Sequence, residues 1–269
     1  MQKIKANHRT DNGSKIIMVL ISAYLILPLL LTFLYSLFTQ WNDILPAGFT
    51  LKYYAALFSD ANFILPFLRT VVISISSVAI CIIIVLLATY VVTVIHPSWQ
   101  RIMQIICTIP YALQGIILGI SVLALYSGMP LPFSNRIIML IGTYCILILP
   151  YIYRGIQNSL NTVNAAQLID AAQLLGLSRM GAYFKVVVPN IMKGIKVSAM
   201  LAISILFGDF VVVNIIGGSY FQTAQMYLYK VMFQSGQMSS AIIVLLFAIT
   251  LIISGSVFLN NKNKMEKEK

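Results

Sequence analysis

The chain has 269 residues, 59% of them hydrophobic and 9% charged, and its mean hydropathy is +0.91. So much apolar surface excludes a water-soluble globular protein and indicates an integral membrane protein. The formal net charge of +11 does not imply nucleic-acid binding, because basic residues beside anionic lipid headgroups account for it. The three cysteines lie in apolar runs, where cysteine usually serves as a small hydrophobic residue.

Six apolar runs predict six membrane-spanning helices. A span needs about 20 apolar residues, and a helix satisfies its own backbone groups in lipid. The first run is too long for a secretory signal and lacks a cleavage site, so we expect it to be retained. The spans are about 16–38, 71–95, 102–126, 137–153, 197–216 and 241–259. They form a single membrane domain, 16–259, between an N-terminal segment, 1–15, and a tail, 260–269.

The lysines and arginines predict the orientation of the spans. An N-terminus in the cytoplasm places 14 of the 18 basic residues on the cytoplasmic side, which is a strong positive-inside bias. An even number of spans returns the basic C-terminal tail to the same side. We therefore expect both termini in the cytoplasm. The four remaining basic residues, which fall outside, are Lys52, Arg69, Arg136 and Lys230.

The longest polar connection, from about Arg154 to Pro189, lies on the cytoplasmic side. Its apolar residues recur at the spacing of an amphipathic helix, which predicts a short helix lying against another surface. Gly176 fits the left-handed position that ends a helix, and Pro189 suits the first turn of the next one. The small side chains of Ala171 and Ala172 would let a partner approach the helix closely. The recurring residues are Ala165, Leu168, Ile169, Ala172 and Leu175.

This connection resembles the signature loop of binding-protein-dependent ABC importer permeases. That pattern reads E-A-A, three residues, G, nine residues, I-x-L-P, and here the corresponding residues are Asp170-Ala171-Ala172, Gly176 and Val186-Val187-Val188-Pro189. The resemblance implies an all-α type I permease fold with six transmembrane helices and a cytoplasmic coupling helix in a loop at about 160–189. It also implies that this helix docks on a separate ATPase. The implied coupling residues are Asp170, Ala171, Ala172, Gly176 and Pro189.

The resemblance also implies the partners and the location of the chain. The sequence has no G-x-x-x-x-G-K-[ST] phosphate loop, so ATP and Mg belong to an ATPase dimer and this chain binds no cofactor. A second permease subunit, either a paralogue or another copy, would complete the pathway. A solute-binding protein outside the cell would deliver the cargo. The expected location is the bacterial inner membrane, crossed several times.

A finer resemblance concerns the cargo. The segments 153–160, 207–210 and 223–236 are similar to permeases of 2-aminoethylphosphonate importers, a group close to the spermidine, putrescine and iron(III) permeases. This implies a small polar solute that carries an amine, with 2-aminoethylphosphonate as the first candidate. Spermidine, putrescine or iron(III) is the alternative. In that group, glutamate is usual at the position of Asp209 and proline at that of Gln114. These two differences bear on which substrate is carried and not on whether the chain is a transporter.

Asp209 is the one carboxylate predicted inside a span. Seven residues of continuous helix separate it from the outer end near Ile216, which places it roughly 10 Å inside the hydrocarbon edge. A charge there must face protein or water. It either attracts the ammonium group of a cargo or pairs with a polar group of a neighbouring helix. Weaker candidates for the pathway are Gln114, Tyr111 and Asn214, for which hydrogen bonding between helices is the commoner role.

Two other classes of protein remain as alternatives. A membrane-embedded enzyme would need paired carboxylates or another catalytic motif, and the sequence shows none, nor any metal-ligand spacing. A solitary channel or secondary transporter would not need the coupling loop. We therefore predict a transporter subunit that is not itself an enzyme.

Overall fold

The computed structural model describes residues 11–41, 47–113 and 115–265. It is almost entirely helical, apart from a short antiparallel hairpin of β1 (Phe38–Gln40) and β2 (Ala47–Phe49). The chain divides into two compact units, one of residues 1–60 with 230–247 and the other of residues 61–229 with 248–269. The first unit contains α1 (Asp11–Ser36), the hairpin and α2 (Lys52–Ser59). The second unit contains the remaining helices up to residue 229.

Five helices of the described residues are long and apolar enough to span a membrane. They are Gly13–Ser36, Ala61–Ile95, Arg136–Thr162, Arg179–Phe207 and Gly236–Gly255. A bent pair, Pro97–Ala112 with Gly115–Tyr126, makes a sixth if it counts as one span. The predicted all-α fold with several spans is therefore confirmed. The helix at the predicted fourth span, α6 (Arg136–Thr162), continues nine residues past Tyr153, so Arg154 lies inside it.

The predicted third span is not a straight helix. It consists of α4 (Gln100–Thr108), a 3₁₀ turn (Ile109–Ala112) and α5 (Gly115–Tyr126), with a bend of 101° between the two halves. Pro110 has no N–H to donate to the preceding turn, and Leu113 is extended with ψ of 109°. These two features end the first half of the span.

The predicted fifth span is also interrupted. Its first part is α9 (Val188–Phe207), and a separate six-residue helix, α10 (Val211–Ile216), follows. The Gln225 side-chain amide donates to the last carbonyl of α9, on Phe207, at 3.0 Å. Gly208 and Asp209 lie in the gap. The expectation that Asp209 lies within a continuous helix is therefore wrong, and its depth has to be judged from its contacts.

The core of the second unit is built from α3 (Ala61–Tyr90), α6 and α9. Glycines let α6 and α9 cross closely, because a Cβ at Gly155 would overlap Ser198 and one at Gly194 would overlap Ser159. Each serine hydroxyl also donates to the carbonyl four residues earlier, which is the glycine of its own helix. Two Gly-x-x-x-Ser segments therefore face each other, each glycine against the serine of the other helix.

Candidate functional site

The predicted coupling helix is present as α7 (Ala165–Leu174). Ala165, Ile169 and Ala172 are buried at a spacing of three to four residues and belong to the hydrophobic core of the second unit. Asp170 and Ala171 are exposed on the other side. The helix is thus amphipathic, as its sequence predicts, and its inner face is joined to the membrane helices.

The C-terminus of α7 has the geometry of a Schellman motif. Gly176 has φ of +89°, in the left-handed region that the sequence predicts. Its N–H donates to Gln173 O at 2.9 Å, and the N–H of Leu177 donates to Ala172 O at 3.1 Å. A Cβ at Gly176 would meet no atom within 4 Å, so glycine is needed here for backbone conformation and not for space.

The exposed surface of α7 differs from the prediction in two places. Ala172 is buried against the chain itself, so the expectation that its small side chain faces a partner is wrong. Leu175 was expected on the inner face, but it follows the last helical residue and is 87% exposed. The preceding residue, Leu174, is 89% exposed. Two adjacent leucines therefore project outward beside Gly176, and no described residue of the chain covers them.

The segment after α7 ties it to α3. The chain continues through α8 (Arg179–Ala182) and a π-helical turn (Tyr183–Val187) into α9, and Pro189 is the second residue of α9. Pro189 lies inside the continuous helical run Arg179–Phe207, and its missing N–H falls directly after the π turn, where the α-helical hydrogen-bond pattern is already interrupted. The hydroxyls of Tyr183 and Thr89 are hydrogen-bonded at 2.8 Å in the interior. The coupling region therefore has a fixed attachment to the core.

A polar cleft lies where α6 ends and α7 begins. Its volume is about 390 Å³, and it is lined mainly by amide and hydroxyl side chains. The Gln157 side-chain amide donates to Asn161 at 3.2 Å within it. Asn164, at the N-terminus of α7, has the left-handed φ of +49° that redirects the chain there. The polar lining residues include Thr93, Gln100, Gln157, Asn161, Asn164 and Gln167.

Asp209 is half-buried and makes three hydrogen bonds. Its carboxylate accepts from the Tyr144 hydroxyl at 3.0 Å, from Val212 N at 3.4 Å and from Val213 N at 3.3 Å. The two backbone donors belong to the first turn of α10, so Asp209 caps that helix. Tyr144 lies on α6, eight residues after Arg136, or about 12 Å further along the helix. Of the two predicted roles, these contacts favour pairing with a neighbouring helix.

The other end of α10 is also held by a charged side chain. Arg136, at the start of α6, donates from Nη1 to Ile216 O at 3.1 Å, and its guanidinium lies 4.5 Å from the centre of the Tyr220 ring. A negative charge at the N-terminus and a positive charge at the C-terminus both complement the helix dipole. Opposite charges from two segments thus fix this short helix at both ends.

The other predicted pathway residues lie in different surroundings. Tyr111 is in the 3₁₀ turn of the bent span, where the Arg154 guanidinium lies 4.9 Å from its ring centre and the Tyr151 ring 5.2 Å away. Asn214 is the exposed residue of α10. Gln114 lies outside the described residues. The structure thus gives Tyr111 a cation and an aromatic neighbour, and it leaves Asn214 on a surface.

Comparison with known proteins identifies the family. The model of the family described as "Binding-protein-dependent transport system inner membrane component" matches residues 80–264, which include α7, α10 and both breaks. The chain belongs to this family. It is an ABC importer permease, a multi-pass component of the inner membrane and not an enzyme by itself. Permeases of this family work with ATPase and solute-binding partners.

Two known permeases are similar to this chain over most of its length. The "Spermidine/putrescine transport system permease protein PotC homolog" of Mycoplasma pneumoniae is 24% identical over 278 residues, covering 98% of this permease and 96% of the relative. The "Putative 2-aminoethylphosphonate transport system permease protein PhnV" of Salmonella typhimurium is 22% identical over 191 residues, 71% of each chain. Both lie in the group that the sequence resembles.

A solved structure shares the fold. The crystal structure of a bacterial ABC transporter involved in the import of the acidic polysaccharide alginate superposes with a TM-score of 0.65. The match covers 94% of this permease and 98% of that chain, at 16% sequence identity. This likeness supports the type I permease fold and carries no information on cargo.

Two features were not predicted from the sequence. One is the pair of α6 residues that hold Asp209 and α10, and the other is the exposure of Leu174 and Leu175. Tyr144 and Arg136 contact α10 from α6, far away in the sequence, and no local pattern points to them. The leucines could have been found, because a glycine that ends a helix after Leu175 removes that leucine from the helical face. Gly208 followed by Asp209 could likewise have indicated a break in the helix, because both residue types are unfavourable in a helix interior.

Proposed function

We propose that α7 couples this permease to an ABC ATPase dimer. The observation that carries the proposal is the exposure of Leu174 and Leu175 beside the left-handed Gly176, on a helix whose opposite face is buried in the core. Exposed leucines at a helix end are suited to a cleft on a partner, and the buried face transmits its movement to α3, α6 and α9. Asp170 and Ala171 complete the outward surface, while Ala172 and Pro189 hold it in place.

We also propose that this surface is cytoplasmic, with both termini on the same side. The positive-inside distribution of lysine and arginine supports this orientation, and ATP is available only there. A solute-binding protein would then dock on the opposite face. A second permease, a paralogue more readily than a copy of this chain, would line the other half of the pathway.

The cargo that we propose is a small polar solute with an amine, and 2-aminoethylphosphonate is the first candidate. The resemblance of segments 153–160, 207–210 and 223–236 to such permeases supports it, as does the likeness to PhnV. Spermidine or putrescine is the second candidate, favoured by the likeness to the PotC homolog over nearly the whole chain. Iron(III) is a third candidate of the same group. Tyr111, Gln114 and Asn214 remain the candidates for lining the pathway.

Coupling is tested by charging the exposed leucines. We expect Leu174→Asp, Leu175→Asp and Gly176→Asp to leave the permease in the membrane but to abolish co-purification of the ATPase and ATP-driven uptake. Leu131→Asp is the matched control, because Leu131 is 77% exposed in the segment between α5 and α6, away from α7. Normal uptake and normal ATPase binding by the α7 variants would refute the coupling role. Uptake without any ATPase would indicate a secondary transporter.

The cargo is tested on the solute-binding protein of the same importer. Its affinity for 2-aminoethylphosphonate, spermidine, putrescine and iron(III) should be measured by calorimetry. The candidate bound most tightly should also stimulate the ATPase activity of the reconstituted complex. Tight binding of a polyamine with no binding of the phosphonate would reverse the order of the two candidates.

A further inference from the structure

A carboxylate can accept about four hydrogen bonds, and that of Asp209 already accepts three from groups of the same chain. Two of the bonds come from the first turn of α10 and the third from Tyr144, which is 2% exposed on α6. A group that receives an ammonium ion from a passing cargo needs free acceptor positions directed at the cargo. The Asp209 carboxylate is instead directed at the N-terminus of a helix.

Helix α10 depends on such contacts because it has only six residues. A helix of this length is not stable by itself in solution, since the cost of forming the first turn is not recovered. Its start is held by Asp209 and its end by Arg136, both through hydrogen bonds to α10 backbone groups. These two charged side chains therefore help to set the position of α10, together with its buried Val212, Val213 and Ile216.

Close packing against α5 restricts where α10 can lie. Gly115 and Gly119, one turn apart on α5, face Val212 and Ile215. A Cβ at Gly119 would lie 3.4 Å from the Cβ of Ile215, which is close contact. With Val212, Val213 and Ile216 buried, Asn214 is the residue that α10 exposes. Asn214 belongs to the predicted fifth span, in which an exposed carboxamide would require water or a polar partner, as a transport pathway provides.

We infer that Asp209 is a positioning residue: it fixes α10 against α5 so that Asn214 is presented to the pathway, and it does not bind the amine of the cargo. This inference rests on the proposed function as far as the pathway is concerned. The fixing of α10 is a property of the chain alone and can be measured without cargo, ATPase or binding protein.

The first experiment measures the position of α10 by disulfide formation. The Cβ atoms at 119 and 215 would lie 3.4 Å apart, just below the roughly 3.5 to 4.5 Å that is usual in a disulfide, so a small shift allows the bond to form. The full-length chain carries Gly119→Cys with Ile215→Cys, and Cys81, Cys107 and Cys145 are replaced by alanine. Membranes are treated with a mild oxidant, and the remaining free thiols are counted by the gel shift of a maleimide polymer.

We expect rapid cross-linking with Asp209 and a rate close to it with Asp209→Asn, because the one amide oxygen of asparagine can still accept from Val213 N and the Tyr144 hydroxyl, and only the bond from Val212 N is lost. Asp209→Ala should lower the equilibrium constant between the held and released positions of α10 by about fivefold, the effect of losing a typical cap, and the cross-linking rate should fall with the held fraction. Equal rates for all three would overturn the inference. The amount of permease in the membrane is measured for each variant, and Tyr144→Phe serves as a milder second variant that leaves the carboxylate in place.

The second experiment measures uptake by the complete importer with the same substitutions but native cysteines. Positioning predicts that Asp209→Asn retains uptake, that Asp209→Ala loses turnover, and that adding Tyr144→Phe to Asp209→Ala costs nothing further. A cargo-binding carboxylate predicts the reverse: Asp209→Asn raises KM severely and Tyr144→Phe has no effect. That reverse pattern would overturn the inference even if cross-linking behaves as expected. If no candidate cargo is taken up by the wild type, the proposed function fails and the cross-linking result still decides the role of Asp209.

Discussion

Two helix contacts in the second unit use glycine in different ways. Where α6 crosses α9, Gly155 faces Ser198 and Gly194 faces Ser159 so closely that neither glycine could carry a methyl group. Where α5 meets α10, a Cβ at Gly115 or Gly119 would meet its neighbour at 3.3 to 3.4 Å without overlapping it, and hydrogen bonds to Asp209 and from Arg136 also hold the position. The first contact is held by shape alone, and the second by packing together with polar bonds. We infer that α6 and α9 move as one body.

The largest effect is expected from adding a methyl group at the α6–α9 crossing. Gly155→Ala places a Cβ in the space of the Ser198 side chain, and overpacking of this kind costs about 1 to 3 kcal/mol. We expect a clear drop in the thermal unfolding midpoint of the purified permease in detergent. Gly194→Ala should act in the same way, against Ser159.

The control for this substitution lies on the same helix. Gly142 has no atom within 4 Å of where its Cβ would be, so Gly142→Ala should leave the midpoint unchanged or slightly raised. Ser198→Gly should restore the midpoint of Gly155→Ala by vacating the space. Equal midpoints for the Gly155→Ala and Gly142→Ala variants would show that the crossing is looser than described.

A smaller effect is expected where the coupling region is attached to the core. Tyr183→Phe removes the hydrogen bond to Thr89 and should destabilise the permease by about 1 kcal/mol. It should also weaken the coupling of ATP hydrolysis to uptake, because α7 loses part of its link to α3. The exposed Tyr24, changed to phenylalanine, is the control. If Tyr183→Phe changes neither stability nor coupling, the attachment of α7 to the core depends on the apolar face of α7 and not on this hydrogen bond.

The smallest effect is expected at the contact between α5 and α10. Gly119→Ala brings a Cβ to 3.3 Å from the flexible end of Ile215, which can shift, so we expect a cost below about 1 kcal/mol. Gly115→Ala, with a single neighbour at 3.4 Å, should cost less still. The same unfolding assay applies. A loss as large as that of Gly155→Ala would mean that both contacts are held by shape and would remove the contrast between them.

Much of the fold and of the coupling site could be predicted from the sequence because the signals are local. The apolar runs gave the membrane helices, the helical spacing gave α7, and Gly176 gave its end. The break before α10 was missed, since hydropathy averages over the polar groups that end a helix. Ala172 lies on the inner face, as its helical spacing predicts, although its small side chain was also expected to let a partner approach; Leu175 was placed on the wrong side because the helix ends before it.

The sequence by itself determined the membrane helices and the amphipathic helix α7 of the predicted coupling loop, because membrane insertion and helix caps depend on neighbouring residues in the chain. Only the tertiary structure decided what Asp209 contacts. Its partners, Tyr144 and the backbone of α10, are brought together by packing between helices, and hydrogen bonds across that distance leave no trace in local composition. The same holds for Gly155 and Gly194, whose importance depends on the serines that face them from the other helix.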